Sequence, residues 1–218
     1  FDAAGNAWIN NNYTFKRNHN APTCGGLDYF KLLPNGANAP GSPFSGKKAG
    51  VNGAGFGICV DPHGDIWIGN FGFFGSTCPC KKAPPANSVS KVAPDGTPLC
   101  PPTGFTQGCI DAPQATRADM DGGIWMANAC GGTVTRYVDG DPNNNWVFDL
   151  ASLSLVGSCP TWQGNKPFGL AVDDDRSCWA TDNGNSTVVK LSPDGALLAM
   201  AGAEAGIDQP MGIAVNSM

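Results

Sequence analysis

Four short pieces of the chain resemble one another: GNAWINN, GDIWIGN, GGIWMAN and SCWATDN, built around Trp8, Trp67, Trp125 and Trp179. The tryptophans are spaced 59, 58 and 54 residues apart, long enough for each repeat to hold a whole supersecondary unit. The flanks repeat as well. FGICVDPHGDIW, FGLAVDDDRSCW and the looser QATRADMDGGIW lie upstream; LDYFKLLPNG, NSVSKVAPDG, GTVTRYVDG and STVVKLSPDG lie downstream. Four tandem active sites are a poor explanation for such a series. A repeated structural unit is a good one.

Within a unit the signal is β. GICVD and IWIGN are short apolar runs bounded by turn residues, whereas SVSKV and TVVKL alternate polar and apolar positions, as half-exposed strands do. Pro-Asp-Gly then supplies a turn: proline presets φ, aspartate bonds back to the backbone and glycine accepts positive φ. A weaker fourth strand is expected in TPLCPP, WVFDLASLSLV and ALLAMAGA. No segment sustains a helical period. The chain is therefore read as all-β, one domain over residues 1–218, a β-propeller of four-stranded antiparallel blades with four repeats visible.

The string KPFGLAVDDDRSCWATDNGNSTVVKLSPDGALL resembles NHL-repeat propellers and the related streptogramin-lyase-like (virginiamycin B lyase-like) repeats. The features that carry this are Pro-x-Gly-hydrophobic-Ala-Val-Asp, a strand centred on Trp, a Gly-Asn turn and a closing Pro-Asp-Gly. They are strongest in residues 54–100 and 165–216. In lyase-like and gluconolactonase-like propellers the resemblance implies catalytic or metal-binding side chains near the central channel, commonly at the x of Pro-x-Gly. The matching residues here are Phe56, Gln114, Phe168 and Met211, so the catalytic constellation of those enzymes is not visible.

The ends of the chain also bear on the architecture. With no initiator methionine and no signal peptide, the sequence is expected to lack something upstream. Phe1-Asp2 aligns with the end of a first strand, and the C-terminal QPMGIAVNSM reads as a first strand without its Trp strand. Pairing between that strand and the N-terminal half-blade, around Ile213, Val215 and Trp8, closes a ring of four blades. The competing reading is a piece of a larger ring.

Charge and cysteine content narrow the function. The 18 acidic and 13 basic residues give a formal net charge of −5, with no basic stripe, which argues against a nucleic-acid partner. No apolar run approaches a membrane span. Nine cysteines, few Lys and Glu, and abundant Asn, Gly, Ser and Thr suit an oxidising, extracellular or periplasmic setting. CPC is the sole close pair and the two histidines, His19 and His63, sit away from it, so a zinc site is poorly supported. Position in the repeat predicts a Cys130–Cys159 disulfide and a bond from Cys78 or Cys80 to Cys100 or Cys109. Cys59 and Cys178 fall inside predicted strands as buried thiols. An odd count leaves at least one cysteine unpaired or paired outside the chain, which opens a route to self-association, as do open blade edges.

Several further residues are candidates for binding. Asn10, Asn70, Asn128 and Asp182 end the four Trp strands and form either a channel-mouth ring or a set of loop locks. DGDPNNNWVFD alternates Asp139, Asp141, Asn143 and Asn145, with Asp149 beyond, as hard-oxygen ligands for Ca2+ or as a plain elongated hairpin. Asn12 and Asn185 begin N-x-Thr sequons, FGFFG is an aromatic loop that either contacts a partner or glycan or packs over the disc, and Trp146 and Trp162 lie outside the motif. These features favour a secreted, non-catalytic binding or assembly module with a protein or glycan partner. The alternative is a degenerate lyase- or lactonase-like enzyme with an unrecognised metal-assisted site.

Overall fold

The computed structural model describes residues 1–12, 27–53, 55–75 and 84–216. Four separate antiparallel sheets follow one another along the chain, one per repeat. The first holds β1 (Ala7–Asn10) and β2 (Tyr29–Leu32), and the second β3 (Gly55–Val60), β4 (Ile66–Asn70) and β5 (Ser88–Val92). The third runs through β6 (Pro113–Ala118), β7 (Ile124–Asn128), β8 (Thr133–Tyr137), β9 (Asn145–Asp149) and β10 (Ser154–Val156). The fourth is β11 (Pro167–Val172), β12 (Cys178–Asp182), β13 (Thr187–Leu191) and β14 (Leu197–Ala201). The Trp strands are β1, β4, β7 and β12, each paired to the strand that carries the Pro-Asp-Gly turn or its substitute.

The outer strands depart from the expected pattern for local reasons. In the second blade TPLCPP makes one isolated bridge, Val92 to Pro98, and Phe105 beyond it makes another to Val89, because prolines 98, 101 and 102 have no N–H to give a ladder. The first blade is finished in the same way, by bridges from Tyr29 to Phe44 and from Leu32 to Asn38. WVFDLASLSLV is not one strand but a hairpin: β9 ends at Asp149, whose carboxylate takes the Ala151 and Ser152 amides, and the chain returns as β10. The Pro-Asp-Gly turns form as expected. Gly96 stands at φ +85° and donates its N–H to Ala93, while Asp95 accepts from Thr97.

Three apolar layers hold neighbouring blades together. Trp8, Tyr29 and Val51 pack on Ile66 and Ile68; Trp67 and Val89 pack on Ile124, Met126 and Tyr137; Trp125 and Phe148 pack on Leu170, Ala180 and Leu191. Trp67 and Trp125 have no exposed surface and Trp8 is buried, whereas Trp179 is only half-buried. The last repeat thus differs from the first three, because no described blade packs on its far side.

Ring closure through the C-terminal segment is corrected in the same region. Among the described residues β1 pairs with β2 alone, and residues 208–216 form no strand. They lie along the fourth blade instead. The Thr181 hydroxyl donates to the Met211 carbonyl, and Asn183 donates to the Gln209 carbonyl. Gly169 permits this approach, since a Cβ there would fall 2.5 Å from the Met211 oxygen.

Candidate functional site

The inner strands β3, β6 and β11 each carry a register shift near their start, between Gly55 and Ile58, Pro113 and Ala115, and Pro167 and Leu170. A bulge of this kind re-aims the side chain it contains. Here it brings Phe56, Gln114 and Phe168 together with Met211 around one cavity of about 440 Å3, which Arg117 also lines. The four channel positions picked out by the repeat alignment thus converge, and three of the four are apolar.

The FGFFG loop packs over this mouth. Phe71 lies 4.9 Å from Phe56 and 4.6 Å from Phe74 between ring centroids, and Phe74 lies 6.3 Å from Phe168. Phe73 and Phe74 hold left-handed backbone, at φ 50° and 55°, a conformation that costs about 1–2 kcal/mol per non-glycine residue. A second cavity of about 370 Å3 begins on the other side of Phe168 and Phe74 and is lined by Cys130, Trp162, Lys166 and Asn183. The Lys166 ammonium sits 5.9 Å from the Trp162 ring centre. Burial, and then the neighbouring Asp111 charge, push the Cys130 thiol up to about 11 against the opposing pull of Lys166, so it is protonated at neutral pH.

The residues ending the Trp strands are locks rather than a ring open to the channel. Asn70 accepts the Gly53 amide at 3.0 Å and donates to Gly50, Ser88 and Ser90. Asn128 accepts from Asp111 and donates to Thr133 and Thr135. Asp182 accepts from Asn165, Lys166 and Gly184, and Asn10 donates to the Gly55 carbonyl. Asn70, Asn128 and Asp182 are fully buried. Each ties its blade to the connection that enters it or the one that follows.

A second repeated device escaped the motif analysis. Facing each motif tryptophan on the next strand is a cation: Lys31 opposite Trp8, Lys91 opposite Trp67, Arg136 opposite Trp125 and Lys190 opposite Trp179. Each lies over its ring at 5.1, 4.9, 5.4 and 5.6 Å and reaches the aspartate six residues before the tryptophan, namely Asp2, Asp61, Asp119 and Asp173. In the first three blades that carboxylate also accepts the indole N–H, at 3.3, 2.9 and 3.1 Å. The signal was present in FKL, SKV, TRY and VKL, one cation per repeat standing three residues before the Pro-Asp-Gly turn or its substitute.

The disulfide expectation needs correction. Cys159 bonds Cys109, with Cα atoms 5.3 Å apart, and not Cys130, which remains a thiol. All three line one cavity, but the Cys130 amide is held on the Asp111 carbonyl while Cys109 lies directly opposite Cys159. Cys100 is also a thiol, directed at the Ala49 carbonyl, so it takes no part in the second expected bond; Cys78 and Cys80 lie outside the described residues. Cys59 and Cys178 are thiols as expected, and burial pushes Cys59 up to about 12 and Cys178 higher still.

In the β8–β9 connection Asp141 accepts the Asn143 amide, Asn145 donates to the Pro142 carbonyl, and Asp139 takes left-handed backbone. Asp149 sits at the opposite end of β9, beside Thr133 rather than Tyr137. Asn185 is exposed in the β12–β13 turn; the rest of the Asn12 sequon falls outside the described residues. Trp146 meets Trp125 edge-on at 5.2 Å, and Trp162 is half-exposed at the second cavity.

No family model and no curated protein matches this chain. Solved structures do. Virginiamycin B lyase from Staphylococcus aureus superposes with a TM-score of 0.61 at 15% identity, over 99% of this chain and 58% of the lyase. The fold is a streptogramin-lyase-like β-propeller. A catalytically inactive form of the same lyase, crystallised with quinupristin, gives 0.60 at 15% identity, over 98% of this chain and 57% of that one. The nidogen/laminin complex gives 0.51 at 12% identity, over 88% and 62%. This chain thus spans rather more than half the length of these structures. No helix among the described residues is long and apolar enough to cross a membrane.

Proposed function

We propose that this chain is a secreted, non-catalytic propeller that binds its partner at the aromatic mouth of the channel. One observation carries the reading: the cavity where the family resemblance puts catalytic side chains is walled by Phe56, Phe168 and Met211. The aromatic wall continues outward and stays accessible, with Phe56, Phe74 and Trp162 each 46–49% exposed. Grouped exposed aromatics on a soluble protein mark interaction sites. Secretion is supported by the Cys109–Cys159 disulfide, stable in oxidising compartments, and by the likeness to an extracellular domain of a hybrid two component system from B. thetaiotaomicron, TM-score 0.52. Among the similar folds, one lyase structure holds quinupristin and another propeller is complexed with laminin, so the architecture serves both small and protein partners.

The test is a screen for C–O lyase and lactonase turnover, with and without added divalent metal. No turnover above buffer is expected. Turnover that disappears in Gln114→Ala or Arg117→Ala overturns the binding reading in favour of a metal-assisted enzyme.

A further inference from the structure

We infer that the channel cavity receives the carboxylate end of an apolar ligand that also carries an amide N–H, the chemistry of an N-acylated hydrophobic amino acid. This rests on the proposed binding reading and specifies its ligand. Three groups in one cavity of about 440 Å3 define it: a cation, an unmet acceptor and an apolar wall.

Arg117 is the cation. It sits on β6 three residues beyond Gln114 and is, among the described residues, the sole charged side chain lining the cavity. One of its N–H groups goes to the Thr116 carbonyl at 2.9 Å, which leaves most of the guanidinium's five donors unspent. Every other described ion pair uses a different cation: Lys31, Lys91, Arg136, Arg176 and Lys190 each hold an aspartate, and among the described residues Arg117 holds none. The molecule carries a formal charge of −5, yet among the described residues this cavity is lined by a cation and no carboxylate. A low-dielectric cleft of one sign concentrates ions of the other, and a guanidinium matches a carboxylate in shape.

Gln114 supplies the second requirement. Its carbonyl oxygen is buried without a hydrogen-bond partner. Buried polar atoms are nearly always paired in native proteins, and turning the Gln114 side chain toward the cavity its residue lines would let a ligand N–H meet this oxygen. Phe56, Phe168 and Met211 supply the third, a surface for an apolar side chain. A carboxylate, an adjacent N–H and an apolar group occur together in an N-acyl amino acid and at the C-terminus of a peptide. The cavity's volume suits one or two residues rather than a folded partner.

The experiment titrates the whole chain by calorimetry with three probes: N-acetylphenylalanine, its amide, and a hexapeptide ending in a free phenylalanine carboxylate. The free acid should bind at least about tenfold tighter than the amide. Arg117→Ala should abolish that preference while leaving the melting temperature unchanged, because Arg117 is exposed, and Arg117→Lys should keep part of it. A hexapeptide that outbinds the single amino acid assigns the site to chain termini; equal binding assigns it to the free compound. Equal affinity for acid and amide overturns the carboxylate assignment and leaves the aromatic mouth standing. No binding of any probe, or binding that survives Phe168→Asp, overturns the mouth as the site altogether.

Discussion

The third and fourth blades carry the same Asp-Trp-cation device and differ in what lies beyond it. In the third, Trp125 is sealed by the fourth blade, its indole N–H reaches Asp119, and Arg136 spans the gap with two bonds to the same carboxylate oxygen at 3.0 and 2.7 Å. In the fourth, Trp179 is half-buried and Lys190 divides itself between Asp173 and the more exposed Asp175. Desolvation is the variable. One motif becomes a rigid, water-free joint or a loose surface cluster according to whether a neighbour covers it.

The sharpest way to break this comparison is to truncate both tryptophans. Removing a buried Trp costs about 3–5 kcal/mol, a large share of a domain's usual stability. Trp125→Ala should therefore abolish cooperative melting, and Trp179→Ala should cost less than half as much. Equal losses by thermal or urea denaturation mean that Trp179 is covered in solution.

The aspartates should follow the same order with smaller effects. Breaking a buried pair leaves an uncompensated charge, worth about 3–5 kcal/mol, whereas an exposed pair contributes about 0–1 kcal/mol. Asp119→Ala should unfold the chain at markedly lower urea than Asp173→Ala, which should lie close to wild type. Reduction of Cys109–Cys159, which closes a loop across a sequence separation of 50, should cost about 2–4 kcal/mol, read as a drop in melting temperature with dithiothreitol that Cys109→Ser reproduces.

Asp2 extends the comparison to the first blade. Burial alone would raise its pKa, but hydrogen bonds from Asn6, then Trp8 and Lys31, outweigh it and hold the carboxyl well below the ordinary range. A carboxylate depressed in the folded state stabilises it above the unfolded pKa of about 3.9, and that stability is lost as pH falls through the lower folded value. Asp2→Asn should melt about 2–4 °C below wild type at pH 7, the shift expected for ~1 kcal/mol in a chain of this size. The gap should close as the pH is taken down from 4. A gap that does not narrow between pH 4 and pH 2 points to packing rather than charge.

The repeats made most of the fold legible, because each Trp strand, turn and inner strand is specified by residues a few positions apart. What could not be read depends on partners far away in sequence. Ring closure by the C-terminal segment looked favourable from the two half-repeats, but a first-strand pattern does not say which neighbour it will lie against, and Met211 and Ile213 lie against Gly169 of β11. The cysteine pairing failed for a similar reason: Cys109 and Cys130 enter one cavity from different connections, and only three-dimensional distance separates them. The channel wall was legible through Pro-x-Gly at Phe168 and Met211 and through the aligned Gly-x-Gly at Phe56. Arg117 was not, since the repeat alignment puts Cys59 and Ala171 at its position and gives no reason to expect a cation.

The smallest expected effect concerns calcium in the β8–β9 connection. Calcium takes 6–8 oxygen ligands. Asp149 stands four ladder positions along β9 from Asn145, about 13 Å at the rise of an extended strand, too far to share an ion with Asp139. Of the remaining candidates, Asp141 already accepts the Asn143 amide and the Asn145 side-chain amide is anchored on Pro142. Those bonds are what an elongated hairpin turn needs, and they leave few oxygens converging on one point. Melting curves in excess calcium and in chelator should superimpose, and Asp141→Ala should lower stability equally in both by removing a turn hydrogen bond. A calcium-dependent rise in melting temperature that Asp141→Ala abolishes would instead make this turn a cation site, and the third blade's outer hairpin would then be held by an ion where the fourth blade uses Pro-Asp-Gly.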